Sequence, residues 1–253
     1  METLFIGQNI FRLKVVDSTN NYAAGLLRQS GSTERKKIFE GTLVIASFQE
    51  QGRGQRGNQW QSKDGENLTF SLILFPQFLK PSEQFFLNKI ISLGVYDFLG
   101  SLHVKKIAIK WPNDIMVKGK KIAGILIENT LRSNEILSSV IGIGININQQ
   151  NFEKIPNAIS LRKIIGKKAD LDKCLEKLCG FIESRYLQLK TNRTNIDKDY
   201  LNCLYQKNLT KKYKIKGIEL VAEISGVTPA GFLILQKMNG EEIFCDFKEV
   251  EFL

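Results

Sequence analysis

A strand leads into Gly52-Arg53-Gly54-Gln55-Arg56-Gly57, and no helix leads out of it. The string satisfies G-x-G-x-x-G. A dinucleotide site, however, needs strand, loop and helix in that order, because the pyrophosphate rests on the free N–H groups and dipole of a helix N-terminus. "TLVIASFQE" (42–50) supplies the strand, with Val44, Ala46 and Phe48 alternating against Leu43 and Ile45. After Gly57 comes "NQWQSKDGEN", with an Asp-Gly turn signal and no apolar period, and then a second strand-like run, "LTFSLILF". The Rossmann fold is therefore not expected. The loop must hold whatever it binds with its own amides and two arginines.

The remaining elements point to a mixed α+β chain. "DSTNNYAAGLLRQS" predicts a helix from about 19 to 29, stopped by Gly31. Its opening Ser18-Thr19-Asn20 reads on spacing alone first as a plain N-cap, and second as a set of hydroxyl and amide groups turned to a ligand. "SEQFFLNKIISLGVYDFLGSL" (82–102) is a second, strongly apolar helix. "IAIKWPNDIMVKGKKIAGILIENT" (107–130) reads as strand, Pro-anchored turn and hairpin, with the turn at Lys118-Gly119-Lys120 and Ile115 to Val117 paired with Ile122 to Glu128. "LSSVIGIGINI" (137–147) is a strand expected to be buried on both faces. Residues 170–206 suggest two helical pieces. From about 207 the texture changes to short alternating strands separated by Gly-Val-Thr-Pro-Ala-Gly and Asn-Gly turns, the pattern of a small β-barrel or hairpin stack. Two domains are expected, 1–206 and 207–253.

Composition narrows the chemistry. With one histidine, His103, histidine triads and His-ligated zinc are nearly excluded, and His103 reads as a helix-end or surface residue. The four cysteines (Cys174, Cys179, Cys203, Cys245) have no paired spacing and read as reduced, mostly buried thiols. There is no P-loop, H-E-x-x-H or G-x-S-x-G. No apolar run approaches the roughly 20 residues that span a bilayer, and the N-terminus lacks the features of a signal peptide, so a cytoplasmic location without membrane attachment is expected. The formal charge of +10 fits an acidic partner, and equally a surface solvated by lysine.

Three polar clusters interrupt apolar strands: "QEQGRGQRGNQW", "KWPND" with "KGKKIAG", and "GIGININ". Buried strand ends do not carry unpartnered Lys, Asp and Asn, so the three are expected to share a cleft. Arginine, lysine, glycine amides and one aspartate suit phosphoryl or adenylyl transfer, in which positioning and charge neutralisation do most of the work.

"GRGQRGNQW", "KWPNDIMVKGKKIAGILIE" and "GIGININ", in that order and with "STN" ahead of them, resemble the biotin–protein ligase family over essentially the whole chain. The resemblance implies a mixed central β-sheet flanked by helices, like that of class II aminoacyl-tRNA synthetases, plus a small C-terminal β-barrel-like domain. It also implies an enzyme that makes biotinyl-5′-AMP from biotin and ATP with Mg²⁺, then passes biotin to one lysine of a biotin carboxyl carrier protein. Carried over by position, Ser18, Thr19 and Gln49 would face the ureido ring of biotin, with Asn20 close by. Gly52, Arg53, Gly54 and Gln55 would line its carboxylate end, and Lys121 would bridge carboxylate and phosphate. Gly124 and Gly142 would leave room for the ligand. Arg53, Arg56, Trp60, Lys110, Asn113, Asp114 and Asn146 match the nucleotide side, with Lys121, Arg53, Lys110 and Asp114 as the catalytic set; the metal ligands stay unassigned. Gln55 stands where arginine often does in the repressor-type members. Those members carry a winged helix before the catalytic motifs; here "STN" begins at residue 18, so a monofunctional enzyme without specific DNA binding is expected. A homodimer is left open. The alternatives are a lipoate–protein ligase, of similar fold and chemistry, and a basic nucleic-acid-binding module. Side-chain alternation along "KGKKIAG" puts Lys121 and Ala123 on one face and Lys120 and Ile122 on the other.

Overall fold

The computed structural model describes residues 2–29, 37–152, 155, 157–247 and 249–253, without the side chain of Arg56. Seven strands form the larger sheet: β1 (Ile10–Val16), β2 (Leu43–Gln49), β3 (Leu68–Leu74), β4 (Ile107–Lys110), β5 (Asp114–Val117), β6 (Lys120–Arg132) and β7 (Glu135–Ile145). Their order is β1-β2-β3-β7-β6-β5-β4. The β1–β2 pair is parallel and every other pair is antiparallel, so the sheet is mixed as expected.

β3 is the reason the sheet has helices on both sides. All seven of its residues are buried, and a strand with no polar alternation must be covered twice. On one face, α1 (Thr19–Gln29) lays Ala23, Leu26 and Leu27 against Val44, Ile73 and Val140. The other face is covered by α2 (Phe85–Ser101), on which α4 (Leu171–Thr191) and α5 (Arg193–Asn202) pack, all three contributing to the main core. α2 is apolar nearly all round because it lies between the sheet and α4. Gly94 lets those two helices touch: a Cβ there would stand 2.8 Å from Ile182 Cγ1. A short α3 (Leu161–Ile165), capped by Ser160, follows β7. Neither α3 nor β1 was expected from the sequence.

The hairpin differs from expectation in one consequential way. Its turn is Lys118-Gly119 alone, both residues at positive φ (52° and 76°), the signature of the tight two-residue turn that matches strand twist. Val117 therefore pairs with Lys120, Met116 with Lys121 and Ile115 with Ala123, and Ile122 is the extra residue of a β-bulge. The bulge breaks simple alternation. Ala123 turns into the core, and Gly124 rather than Ala123 comes round to the side of Lys121.

The second sheet holds β8 (Lys211–Ile215), β9 (Ile218–Val227), β10 (Leu233–Lys237), β11 (Glu242–Cys245) and β12 (Val250–Phe252), antiparallel, in the order β11-β10-β9-β8-β12. Tyr213, Ala222, Ile224, Leu233 and Leu235 join the main core, and the Trp111 indole donates to the Gly231 carbonyl at 2.9 Å. This docking brings β12 to the mouth of the cleft described next. Among the described residues no helix is long and apolar enough to cross a membrane.

Candidate active site

A cleft of about 280 Å³ opens where the glycine loop, the β5–β6 hairpin, the faces of β3 and β7, and β12 meet. One end is a neutral hydrogen-bonding network. The Thr19 amide and hydroxyl both donate to Gln49 Oε1, at 2.8 and 3.0 Å. Ser71 Oγ lies 2.8 Å from Thr19 Oγ1 and 2.6 Å from Asn20 Oδ1. Ser18, Thr19 and Asn20 are buried, so a plain solvent-facing N-cap does not describe them. Gly142 is required for this arrangement, since a Cβ there would stand 2.5 Å from Asn20 Oδ1. The clearance at Gly142 is thus filled by Asn20.

The other end is cationic. Lys121 Nζ lies 2.6 Å from Asp114 Oδ1, and Lys110 is the cross-strand partner of Asp114. Burial holds the Lys110 ammonium below its ordinary pKa of 10.5; Asp114 pulls it back up and Lys121 pushes it further down. Lys110 also sits 4.7 Å from the centre of the Phe252 ring. Two ammoniums with one carboxylate between them, partly out of water, form a site ready for an anion.

Trp60 forms the wall between the two ends. A Cβ at Gly144 would stand 2.3 Å from Trp60 Cε2, so the indole lies against that glycine, and Lys121 Nζ is 5.8 Å from its ring. The loop that delivers Trp60 is folded back on itself: Arg53 bridges to Gln59, Trp60 N donates to Gly52 O at 2.9 Å, and Gly54 N to Asn58 O at 2.7 Å. As the sequence required, no α-helix follows Gly57. Arg53 fastens the loop to its neighbours, donating to Glu128 Oε1 at 2.7 Å and to Asn21 Oδ1 at 2.9 Å. Asn21 in turn donates to Asp17, whose carboxyl that bond holds below the usual range, with a smaller contribution from Arg53. Glu128 also accepts from Asn20 Nδ2 at 2.8 Å, which couples the loop to the neutral end.

Of the residues expected at the site, Ser18, Thr19, Asn20, Gln49, Arg53, Gly54, Gln55, Trp60, Lys110, Asn113, Asp114, Lys121, Gly124 and Gly142 line this one cleft. Two do not. Gly52 lies behind the wall, with the Trp60 carbonyl 2.3 Å from where its Cβ would be. Asn146 is buried just beyond β7, its backbone bonded to Ile122 and Leu161. The Arg56 side chain lies outside the described residues. Sequence reasoning missed Ser71, Thr69, Gly144, Glu128 and Phe252. A signal was present for three of them: Thr69 and Ser71 are the polar pair at i and i+2 in "LTFSLIL", and Gly144 repeats Gly142 at the same spacing, so each pair shares a sheet face. His103 is exposed just past α2, and the four cysteines are free, with Cys174, Cys179 and Cys245 buried, as expected.

Comparison with known proteins agrees with this geometry. The family model described as "Biotin/lipoate A/B protein ligase family" matches residues 13–146. A bifunctional ligase/repressor, BirA, of Bacillus subtilis is 33% identical over 198 residues, covering 76% of this chain and 58% of its own length. BirA of Escherichia coli is 34% identical over 148 residues, 58% of this chain and 43% of its own. This chain therefore spans only about half the length of the first curated relatives it matches. A biotin–[acetyl-CoA-carboxylase] ligase of Mycobacterium tuberculosis is 27% identical over 75% of this chain and 69% of its own. Among solved structures, the biotin protein ligase from Aquifex aeolicus in complex with biotin and ATP superposes with a TM-score of 0.78, covering 96% of this chain and 98% of that one at 24% identity, a likeness of fold. With the family model matching more than half of its residues, the chain belongs to the biotin/lipoate A/B protein ligase family.

Proposed function

We propose that the chain is an ATP-dependent biotin–protein ligase, which joins biotin and ATP into biotinyl-5′-AMP and then passes biotin to a lysine of a biotin carboxyl carrier protein. The observation that carries this reading is the polarity of one cleft: neutral amide and hydroxyl groups at one end, two ammoniums at the other, and an indole wall between them. Biotin has a matching polarity, with a ureido ring that both donates and accepts at one end and a carboxylate at the other. The naming of curated relatives as biotin ligases supports biotin over lipoate. So does the solved likeness that holds biotin and ATP.

In the first step a biotin carboxylate oxygen attacks the α-phosphorus of ATP, and pyrophosphate leaves. The carboxylate is already ionised near pH 7, so no protein base is needed. The obstacle is the approach of two anions, and Lys121 is suited to stand between them, with Lys110 beside it. Release of Lys121 from Asp114 would free both groups for this work. Asp114 fits a Mg²⁺ site completed by phosphate oxygens, since that ion is usually held by one or two carboxylates plus substrate phosphates; among the described residues there is no larger cluster of acidic, His or Cys ligands. Bound there, Mg²⁺ would neutralise phosphate charge. In the second step the ε-amine of the acceptor lysine attacks the mixed anhydride carbonyl, AMP leaves, and an amide bond remains. Arg53 and the loop would cover the intermediate meanwhile. We assign residues 1–206 to catalysis and 207–253 to the smaller domain, which lends Val250, Glu251 and Phe252 to the cleft.

Incubation with ATP, Mg²⁺ and either biotin or lipoate, followed by mass spectrometry, tests the reading. Biotinyl-AMP should accumulate without acceptor and give way to biotinylated carrier once a carrier domain is added. An adenylate formed faster from lipoate would overturn the proposal.

A further inference from the structure

Two polar groups in the cleft have no hydrogen-bond partner among the described residues. Thr69 on β3 is 4% exposed, lines the cleft, and its Oγ1 makes no hydrogen bond; Nε1 of the Trp60 indole is likewise buried and unbonded. Both adjoin Gly144. Thr69 is the cross-strand partner of that glycine, and Trp60 Cε2, the ring carbon attached to Nε1, is the atom closest to its missing Cβ. Directly paired residues share a sheet face, with Cβ positions about 5 Å apart. The two unpaired groups therefore flank one spot on the cleft floor.

The contrast with Ser71 is informative. It lies two residues along the same strand on the same face, and its hydroxyl is fully engaged by Thr19 and Asn20. A buried hydroxyl that no protein group satisfies is one that a ligand seated in the cleft can complete. The spacing suggests which atom does so. Positions i and i+2 of a strand are about 7 Å apart. A ring system whose ureido edge meets the Ser71 network lays its opposite edge over Thr69. In biotin that edge is the thioether, whose sulfur accepts hydrogen bonds and donates none, as two facing donors require.

We propose that Thr69 is a specificity residue that reads the thioether sulfur of biotin, its hydroxyl donating to the sulfur with the Trp60 N–H as a second donor at the same spot. The inference rests on the biotin reading above and goes beyond it, to the sulfur.

Dethiobiotin keeps the ureido ring and the carboxylate and lacks the sulfur, so calorimetric affinities for both acids, in the wild type, Thr69→Val and Thr69→Ser, separate the possibilities. Thr69→Val should weaken biotin about fivefold, the size of one ordinary hydrogen bond, and change dethiobiotin less than twofold. Thr69→Ser should restore biotin binding. The unliganded thermal midpoint of Thr69→Val should not fall, since valine fills the same shape in a strand and removes the unpaired hydroxyl. A merely structural threonine would lower that midpoint and weaken both acids alike, and that result would overturn the assignment, as would unchanged biotin affinity. If the wild type binds neither acid, the biotin reading falls and this assignment with it.

Discussion

Gly144→Ala separates the architecture of the cleft from the stability of the fold. A Cβ at this position would stand 2.3 Å from Trp60 Cε2, 2.6 Å from Cζ2 and 2.7 Å from Cδ2. Ordinary contact begins near 3.4 Å, so the indole must retreat by 1.1 Å, the difference between 3.4 and 2.3. A misplacement of about 1 Å in a reacting arrangement costs on the order of 10²-fold in rate. The backbone itself should welcome the change. Gly144 is not at positive φ, and replacing glycine inside a strand with alanine recovers roughly 0.5–1 kcal/mol of chain entropy. The variant should therefore unfold at the wild-type temperature or slightly above it, while biotin-dependent ATP–pyrophosphate exchange falls about 100-fold, mostly through weaker biotin capture. Exchange within threefold of wild type would refute the reasoning. So would a lost thermal transition, which would mean that the glycine serves the sheet and not the indole.

Arg53→Ala removes the clasp to Glu128 and Asn21, and free biotinyl-AMP should escape into solution about tenfold faster while single-turnover adenylation changes less, as expected for loss of a charge-assisted bond. An unchanged escape rate would rule out a retention role. Lys110→Met should raise the thermal midpoint at pH 7 while suppressing adenylation. Burial holds the folded-state pKa of Lys110 below 10.5, so its charge costs stability wherever the unfolded chain is protonated, and that cost fades as pH rises from the folded pKa through 10.5. The stability gain should shrink accordingly as pH rises towards and past 10.5, and a midpoint that drops at pH 7 would contradict it.

Where local chemistry decides structure, the sequence was readable. The cap and spacing of "STNNYAAGLL" anticipated α1 at about 19–29, with its expected stop, Gly31, outside the described residues, and the apolar run "VIGIGINI" anticipated a strand buried on both sides. The failed helix after Gly57 separated this loop from a dinucleotide site. What escaped was set by distant contacts. β1 mixes exposed and partly buried residues and becomes a strand only because β2 lies beside it. The bulge at Ile122 depends on how a two-residue turn aligns its strands, and no single-residue preference signals it. Glu128 reads as a strand-end acid until Arg53, 75 positions earlier, is brought to it. The family resemblance implied Lys121 in the site, and alternation gave it Ala123 as its same-face neighbour; Lys121 lines the cleft, but the bulge gives it a different neighbour, Gly124.

Lys121 offers the most direct test. Its ammonium meets Asp114 inside the cleft, while Lys118 and Lys120 of the same hairpin are exposed. Biotin-dependent ATP–pyrophosphate exchange should be measured for Lys118→Ala, Lys120→Ala and Lys121→Ala side by side. Loss of one preorganised donor typically lowers the rate by about 10² to 10³. Lys121→Ala should show that loss, Lys118→Ala and Lys120→Ala should stay near wild type, and arginine at 121 should not fully restore exchange, because a planar fork does not replace a compact charge. Equal, mild effects at all three positions would mean that the lysines only solvate a turn, and would contradict the placement of charge on which this mechanism depends.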